Sequence, residues 1–227
     1  MSAEKAGRKY VFDRKKMMKR IIEDHAAGEL DDLYEYFQDL EGKFHGDKKR
    51  ISQRYDLEAE KINSDPDLKY QLDEYFSEEF HVIENVYLKT FRYSVVVGIY
   101  SVLEVCLNDL CRYMQRSNNL TLTLEDLKDD GIQRAKTYLT KVCSIEFPAD
   151  SHEWNEIQKL NLFRNCIIHA QGNVDKVKST SKLRNTITNT TGVDFKSDRY
   201  LSFEKSYIET VIENVKKLLN LIYEKAL

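Results

Sequence analysis

Helix breakers are scarce in this chain: two prolines and eight glycines are spread over 227 residues. Proline locks φ and removes a backbone donor, while glycine loses the most freedom on ordering, so the two residues punctuate regular structure. A strand-rich fold needs such punctuation about every ten residues. A chain so poorly punctuated, and rich in Lys, Glu, Leu and Asp, is expected to fold as long helices. The predicted class is all-α: a helical bundle with a short irregular or β-hairpin insertion before its last helix.

Charge divides the chain. Residues 1–20 carry eight Lys or Arg against two acids, followed by an acidic run from Glu23 to Glu41 interleaved with Leu30, Leu33, Tyr34, Phe37 and Leu40. That spacing is an amphipathic helix. Gly42 to Arg50 reads as a loop, and a polar helix from Ile51 to Asn63 ends at Ser64-Asp65-Pro66, where Asp65 can cap a new helix with Pro66 at its first position. The domain boundary is placed here, giving a charged helical extension over residues 1–64 and a helical bundle over 65–227.

Within the bundle, helices are predicted from Asp67 to about Val86 and from about Thr90 to Arg116. The second carries Val95, Val96, Ile99, Leu103, Leu107 and Leu110 and is apolar over more than one face, as expected of the central helix or of a subunit contact. Leu124, Leu127, Ile132, Ala135, Leu139 and Val142 mark one or two helices broken at Gly131 and ended before Pro148. Ser151 is placed as the N-cap of a helix running to near Gly172. Residues 173–199, with six Lys or Arg against three acids, show no helical period and are expected to be a long loop or small hairpin. Tyr207, Ile208, Val211, Ile212, Val215, Leu218, Leu219 and Ile222 then form the apolar stripe of a closing helix.

The four cysteines, Cys106, Cys111, Cys143 and Cys166, sit in apolar segments without paired spacing and are expected to be reduced core thiols. The start lacks the apolar core of a signal peptide. In the most apolar stretch, Phe91 to Cys111, the residues Arg92, Glu104, Asn108 and Asp109 would be costly in a bilayer. A cytoplasmic protein with no membrane span is expected. Net charge is −3 with a pI near 6.0, which excludes a protein that coats nucleic acid nonspecifically. G-x-x-x-x-G-K-[ST], G-x-S-x-G and H-E-x-x-H are absent, so the common ATPase and hydrolase routes are set aside. His25, His45, His81 and His152 show no ligand spacing, and no metal or cofactor is called for.

Chemistry concentrates in Leu160–Gly172, LNLFRNCIIHAQG, where Arg164, Asn165 and His169 interrupt an apolar helix. Each costs free energy there unless it finds partners. Asn165 and His169 share a face; Arg164 lies about 140° from His169 around the helix and must reach to converge. Histidine titrates near neutrality and can move a proton during RNA cleavage, while the forked guanidinium of Arg164 can grip a phosphate and stabilise its transition state. Asn165 can orient the imidazole or the ribose.

Arg164-Asn165-Cys166-Ile167-Ile168-His169 resembles the R-x4-H motif, with a polar residue after the Arg, of the HEPN superfamily of helical ribonucleases. An apolar helix with the internal acid Glu104, a spacer, Trp154 leading into the motif helix and a closing helix follow that family's order over roughly residues 67–227. The resemblance implies a homodimer whose two motifs face one cleft and cut RNA without metal, through attack by the ribose 2′-hydroxyl, in a toxin or antiviral-defence role. By it, His169 would be the general acid or base, Arg164 the phosphate ligand and Asn165 a supporting group, with an antitoxin or defence protein as a further partner. The Tyr that marks members inactivated by nucleotidylation is replaced by Gln171, so that control is not expected.

Glu104 is carried as a third active-site group, with Tyr100 and Asn108 on its face; Lys176, Lys178, Lys182 and Arg184 are carried as guides for the RNA backbone. The competing reading is a noncatalytic interaction or nucleotide-binding module of the same fold, in which Arg164 pairs with Glu104 and His169 caps its own helix end.

Overall fold

The computed structural model describes residues 14–62 and 65–227. Most of the basic start, residues 1–13, lies outside the described residues, as does Ser64. The chain forms α1 (Arg14–Lys61), α2 (Pro66–His81), α3 (Lys89–Ser117), α4 (Gly131–Thr137), α5 (His152–Ala170), α6 (Thr180–Thr188), β1 (Val193–Lys196), β2 (Tyr200–Phe203) and α7 (Lys205–Ala226). It is a helical bundle with one β-hairpin placed before the last helix, as the sequence predicts.

The bundle is built around α3, which packs on α1, α4, α5 and α7. Val96, Ile99, Leu103, Leu107 and Leu110 are fully buried along it. The run Pro66–Ser117 is long and apolar enough to cross a membrane, yet half of its most apolar window is buried. Here those side chains meet other helices of the bundle. The apolar stripe of α7 is buried from Tyr207 to Tyr223 and closes the core against α1, α3 and α5.

Two expectations for the N-terminal half are corrected. Gly42 to Arg50 is not a loop: α1 runs unbroken for 48 residues, about 70 Å. A glycine inside a helix costs about 1 kcal/mol relative to alanine. That cost is offset here because Phe44 packs on Phe91 between Gly42 and Gly46, which themselves face open space. Likewise α2 and α3 are not separate helices, since the wide π turn Val82–Leu88 joins them without a break. The turn at Asp65 does form as expected, its carboxylate accepting from the N–H groups of Asp67 and Leu68 with Pro66 at the first position.

The first half of α1 belongs to the same core as the bundle. Leu30 and Phe37 are fully buried against it. A largely buried ion pair fixes the helix farther along: Arg92 of α3 donates to both carboxylate oxygens of Glu41 at 2.6 and 2.8 Å and to the Phe203 carbonyl at 2.7 Å. One guanidinium thus joins α1, α3 and β2.

Candidate functional site

The N-terminus of α5 is set by Ser151, whose hydroxyl accepts from the Trp154 N–H at 3.1 Å, while buried Trp154 packs edge-on against Phe147. Its C-terminus is set by two successive residues with positive φ, Gln171 at 53° and Gly172 at 76°. The Gly172 N–H returns to the Cys166 carbonyl at 3.1 Å, and the Gly172 carbonyl accepts from Leu201 of β2 at 2.9 Å. Val174 adds a bond to the Arg199 carbonyl, so residues 172–174 lie along the edge of the hairpin. Asn173 caps the short turn that follows by accepting from the Asp175 N–H.

This stitching brings the turn after α5 back across its last two turns. The result is a groove of about 390 Å³, with Asn165, Cys166 and His169 on the α5 side and Lys176, Val177, Lys178 and Leu183 opposite. Leu162, Cys166, Val177 and Leu183 make its floor apolar. His169, Lys176 and Lys178 are exposed, and no acidic side chain lines the groove among the described residues. Burial pushes the Cys166 thiol up to about 11, so at neutral pH it is an uncharged part of the floor.

Arg164 points to the other side of α5. Its guanidinium lies 5.1 Å from the centre of the Tyr100 ring and donates to Asn165 Oδ1 at 2.9 Å. Asn165 in turn donates to Asn161 Oδ1 at 3.3 Å. Asn165 is therefore the link between the guanidinium and the groove. The buried Arg164 Nε has no partner.

The expected residues separate into two groups. Asn165, His169, Lys176 and Lys178 meet at the groove; Tyr100, Glu104, Asn108 and Arg164 lie along the α3 side of α5. Burial pushes the Tyr100 hydroxyl above its ordinary pKa. Glu104 is half-buried near Gly131 and makes no ion pair among the described residues, with Arg164 or otherwise. Asn108 holds a buried carbonyl oxygen without a partner. The Arg164–Glu104 pair of the competing reading is absent because the guanidinium is engaged by Tyr100 and Asn165.

Two of the basic guides sit elsewhere. Lys182 is exposed on α6, outside the groove lining. Arg184 is held within the fold: it donates to Asp175 Oδ1 at 2.6 Å and the Asp198 carbonyl at 3.0 Å, and stacks 5.0 Å from the Phe195 ring centre. Its charge is spent on bracing the hairpin. Residues 173–199 also contain α6, a helix where the sequence predicts a long loop or small hairpin. The i, i+4 pair Leu183 and Ile187, both buried, was the available signal, and with it Leu183 would have been found as part of the groove.

Comparison of the chain with protein-family models, characterised proteins and solved structures gives no match. The site therefore stands on its own geometry.

Proposed function

We propose that this protein is a metal-independent endoribonuclease of the HEPN type, acting as a homodimer in a toxin or defence role. The observation that carries the reading is an exposed imidazole, His169, on an acid-free groove with Lys176 and Lys178, joined through Asn165 to the Arg164 guanidinium. The lysines suit the phosphate backbone and the apolar floor suits a base turned out of its stack.

In this reading the His169 imidazole takes the proton of a ribose 2′-hydroxyl as its oxygen attacks the adjacent phosphorus. The imidazolium then gives that proton to the departing 5′-oxygen, and the products are a 2′,3′-cyclic phosphate and a 5′-hydroxyl end. Arg164 stabilises the charge gathered on the phosphorane oxygens. DNA lacks the nucleophile and is expected to be left intact.

The test is incubation of wild-type and His169→Ala protein with cellular RNA in EDTA, with analysis of the fragment ends. Cyclic phosphate ends made by wild type alone support the reading, and intact RNA from both refutes it. A second reading, a noncatalytic interaction or nucleotide-binding module, is favoured by the way Tyr100 and Asn165 hold Arg164 on the far side of its helix. Tight partner or nucleotide binding without RNA cleavage would select it.

A further inference from the structure

The groove beside His169 is asymmetric in its polar lining, and the asymmetry bears on which base it takes. Its volume of about 390 Å³ falls within the roughly 300–1,000 Å³ of small-molecule clefts, so a nucleobase can lie in it. Leu162, Cys166, Val177 and Leu183 offer an apolar floor to the face of the ring. What then decides among the bases is the hydrogen-bonding character of the groups around that floor.

Those groups are mostly donors. Lys176 and Lys178 are exposed, flank Val177 and make no ion pair among the described residues. An ammonium donates and cannot accept. The carbonyl oxygen of Asn165 already accepts from Arg164 at 2.9 Å. The backbone carbonyls of Cys166 and Val177 are likewise taken, by the Gly172 N–H at 3.1 Å and the Thr180 hydroxyl at 2.7 Å. The neighbouring acid, Asp175, lies outside the lining and meets Arg184 at 2.6 Å. His169 can accept, but the ribonuclease reading uses it on the 2′-hydroxyl. The Ser179 hydroxyl can serve either way.

Bases differ in what they present to such a lining. Guanine carries two neighbouring acceptors, O6 and N7, whereas adenine puts an amine where guanine has O6, cytosine carries an amine at N4, and uracil offers O4 alone on that edge. An amine set against an ammonium over an apolar floor gives up water and gains no acceptor. Two neighbouring lysines suit two neighbouring acceptors. Resting on the ribonuclease reading, we propose that the groove reads guanine, with Lys176 and Lys178 donating to O6 and N7, so that the cut falls on the 3′ side of guanosine.

Sequencing the fragment ends that wild type leaves on cellular RNA tests the assignment. Guanosine should carry the cyclic phosphate at least about tenfold more often than adenosine, the discrimination of one good paired contact. A short single-stranded RNA with one guanosine should be cut there, as fast with inosine in its place and several-fold more slowly with 7-deazaguanosine, which lacks N7. The double variant Lys176→Ala, Lys178→Ala should lower the ratio of guanosine to adenosine cuts, a ratio that lysines meeting phosphate alone would not move. Ends spread evenly over the bases, 7-deazaguanosine cut as fast as guanosine, or an unchanged ratio in the double variant each overturns the base assignment and leaves the ribonuclease reading standing. Intact RNA overturns both.

Discussion

Gly172 decides where α5 ends, and so where His169 stands relative to the turn that carries Lys176. Its φ of +76° is one that a side chain resists, and a Cβ there would lie 2.1 Å from the Tyr93 hydroxyl oxygen. That hydroxyl cannot step aside cheaply, since it donates to the Leu201 carbonyl at 2.6 Å and is buried. Gly172→Ala should therefore cost more than the roughly 1–2 kcal/mol of the left-handed conformation alone. Urea denaturation measures it, and a loss smaller than that would mean the α5–β2 junction can shift.

Cys166 makes a residue-scale prediction with a definite sign. Burial raises its thiol from an ordinary value of 9.0 to about 11, and Cys106 is raised likewise to about 11. The unfolded chain thus releases these protons at lower pH than the folded one. The contribution to stability is complete below about pH 9 and is lost as pH rises toward about 11. Iodoacetamide should label Cys166 slowly at pH 8, with a rate that climbs about tenfold per pH unit until the thiol ionises. Labelling that levels off near pH 9 would show an exposed, unperturbed thiol.

At the scale of elements, the tie between α1 and the bundle rests on Glu41 and Arg92. Their side chains are 9% and 19% exposed, and removing one partner leaves the other charge buried and uncompensated. Glu41→Ala should cost roughly 3 kcal/mol, as broken buried pairs do. Because the same guanidinium holds the Phe203 carbonyl, hydrogen exchange should quicken in β2 as well as in α1. Exchange confined to α1 would mean that the Arg92–Phe203 bond survives alone.

What the chain reveals of its elements follows from where their signals reside. The α7 stripe and the Asp65-Pro66 and Ser151 starts are local patterns, and they are legible. The continuity of α1 through Gly42 and Gly46 depends on Phe44 meeting Phe91, a residue 47 positions away, which propensity cannot register. In α6, only Leu183 and Ile187 turn inward among Ser, Thr and Asn that read as loop. The site is legible to the same degree: the motif residues stand out as polar groups in an apolar helix, but the groove facing them is made by α6 and by the left-handed Gly172. Arg184 looked like a free cation because Asp175, Asp198 and Phe195 converge on it only once the hairpin is folded.

At the scale of the whole molecule, the unresolved relation is between Arg164 and His169. Within one chain they leave opposite sides of α5, one over Tyr100 and the other at the groove. A homodimer that sets the two α5 helices face to face would bring the arginine of each copy near the histidine of the other, and exposed Ile168 of α5 supplies apolar area for such a contact. Two inactive variants then become informative together. Arg164→Ala and His169→Ala should each fail to cut RNA alone, while the two coexpressed or refolded together should recover activity, because a mixed dimer holds one site with both groups intact. Random pairing makes about half of the dimers mixed, so recovery should be a sizeable fraction of wild type and should fall with dilution below the dimer dissociation constant. Persistent inactivity of a mixture shown by light scattering to be dimeric would put both groups in one chain's site, and would require Arg164 to leave Tyr100 and swing past Asn165 into the groove when RNA binds.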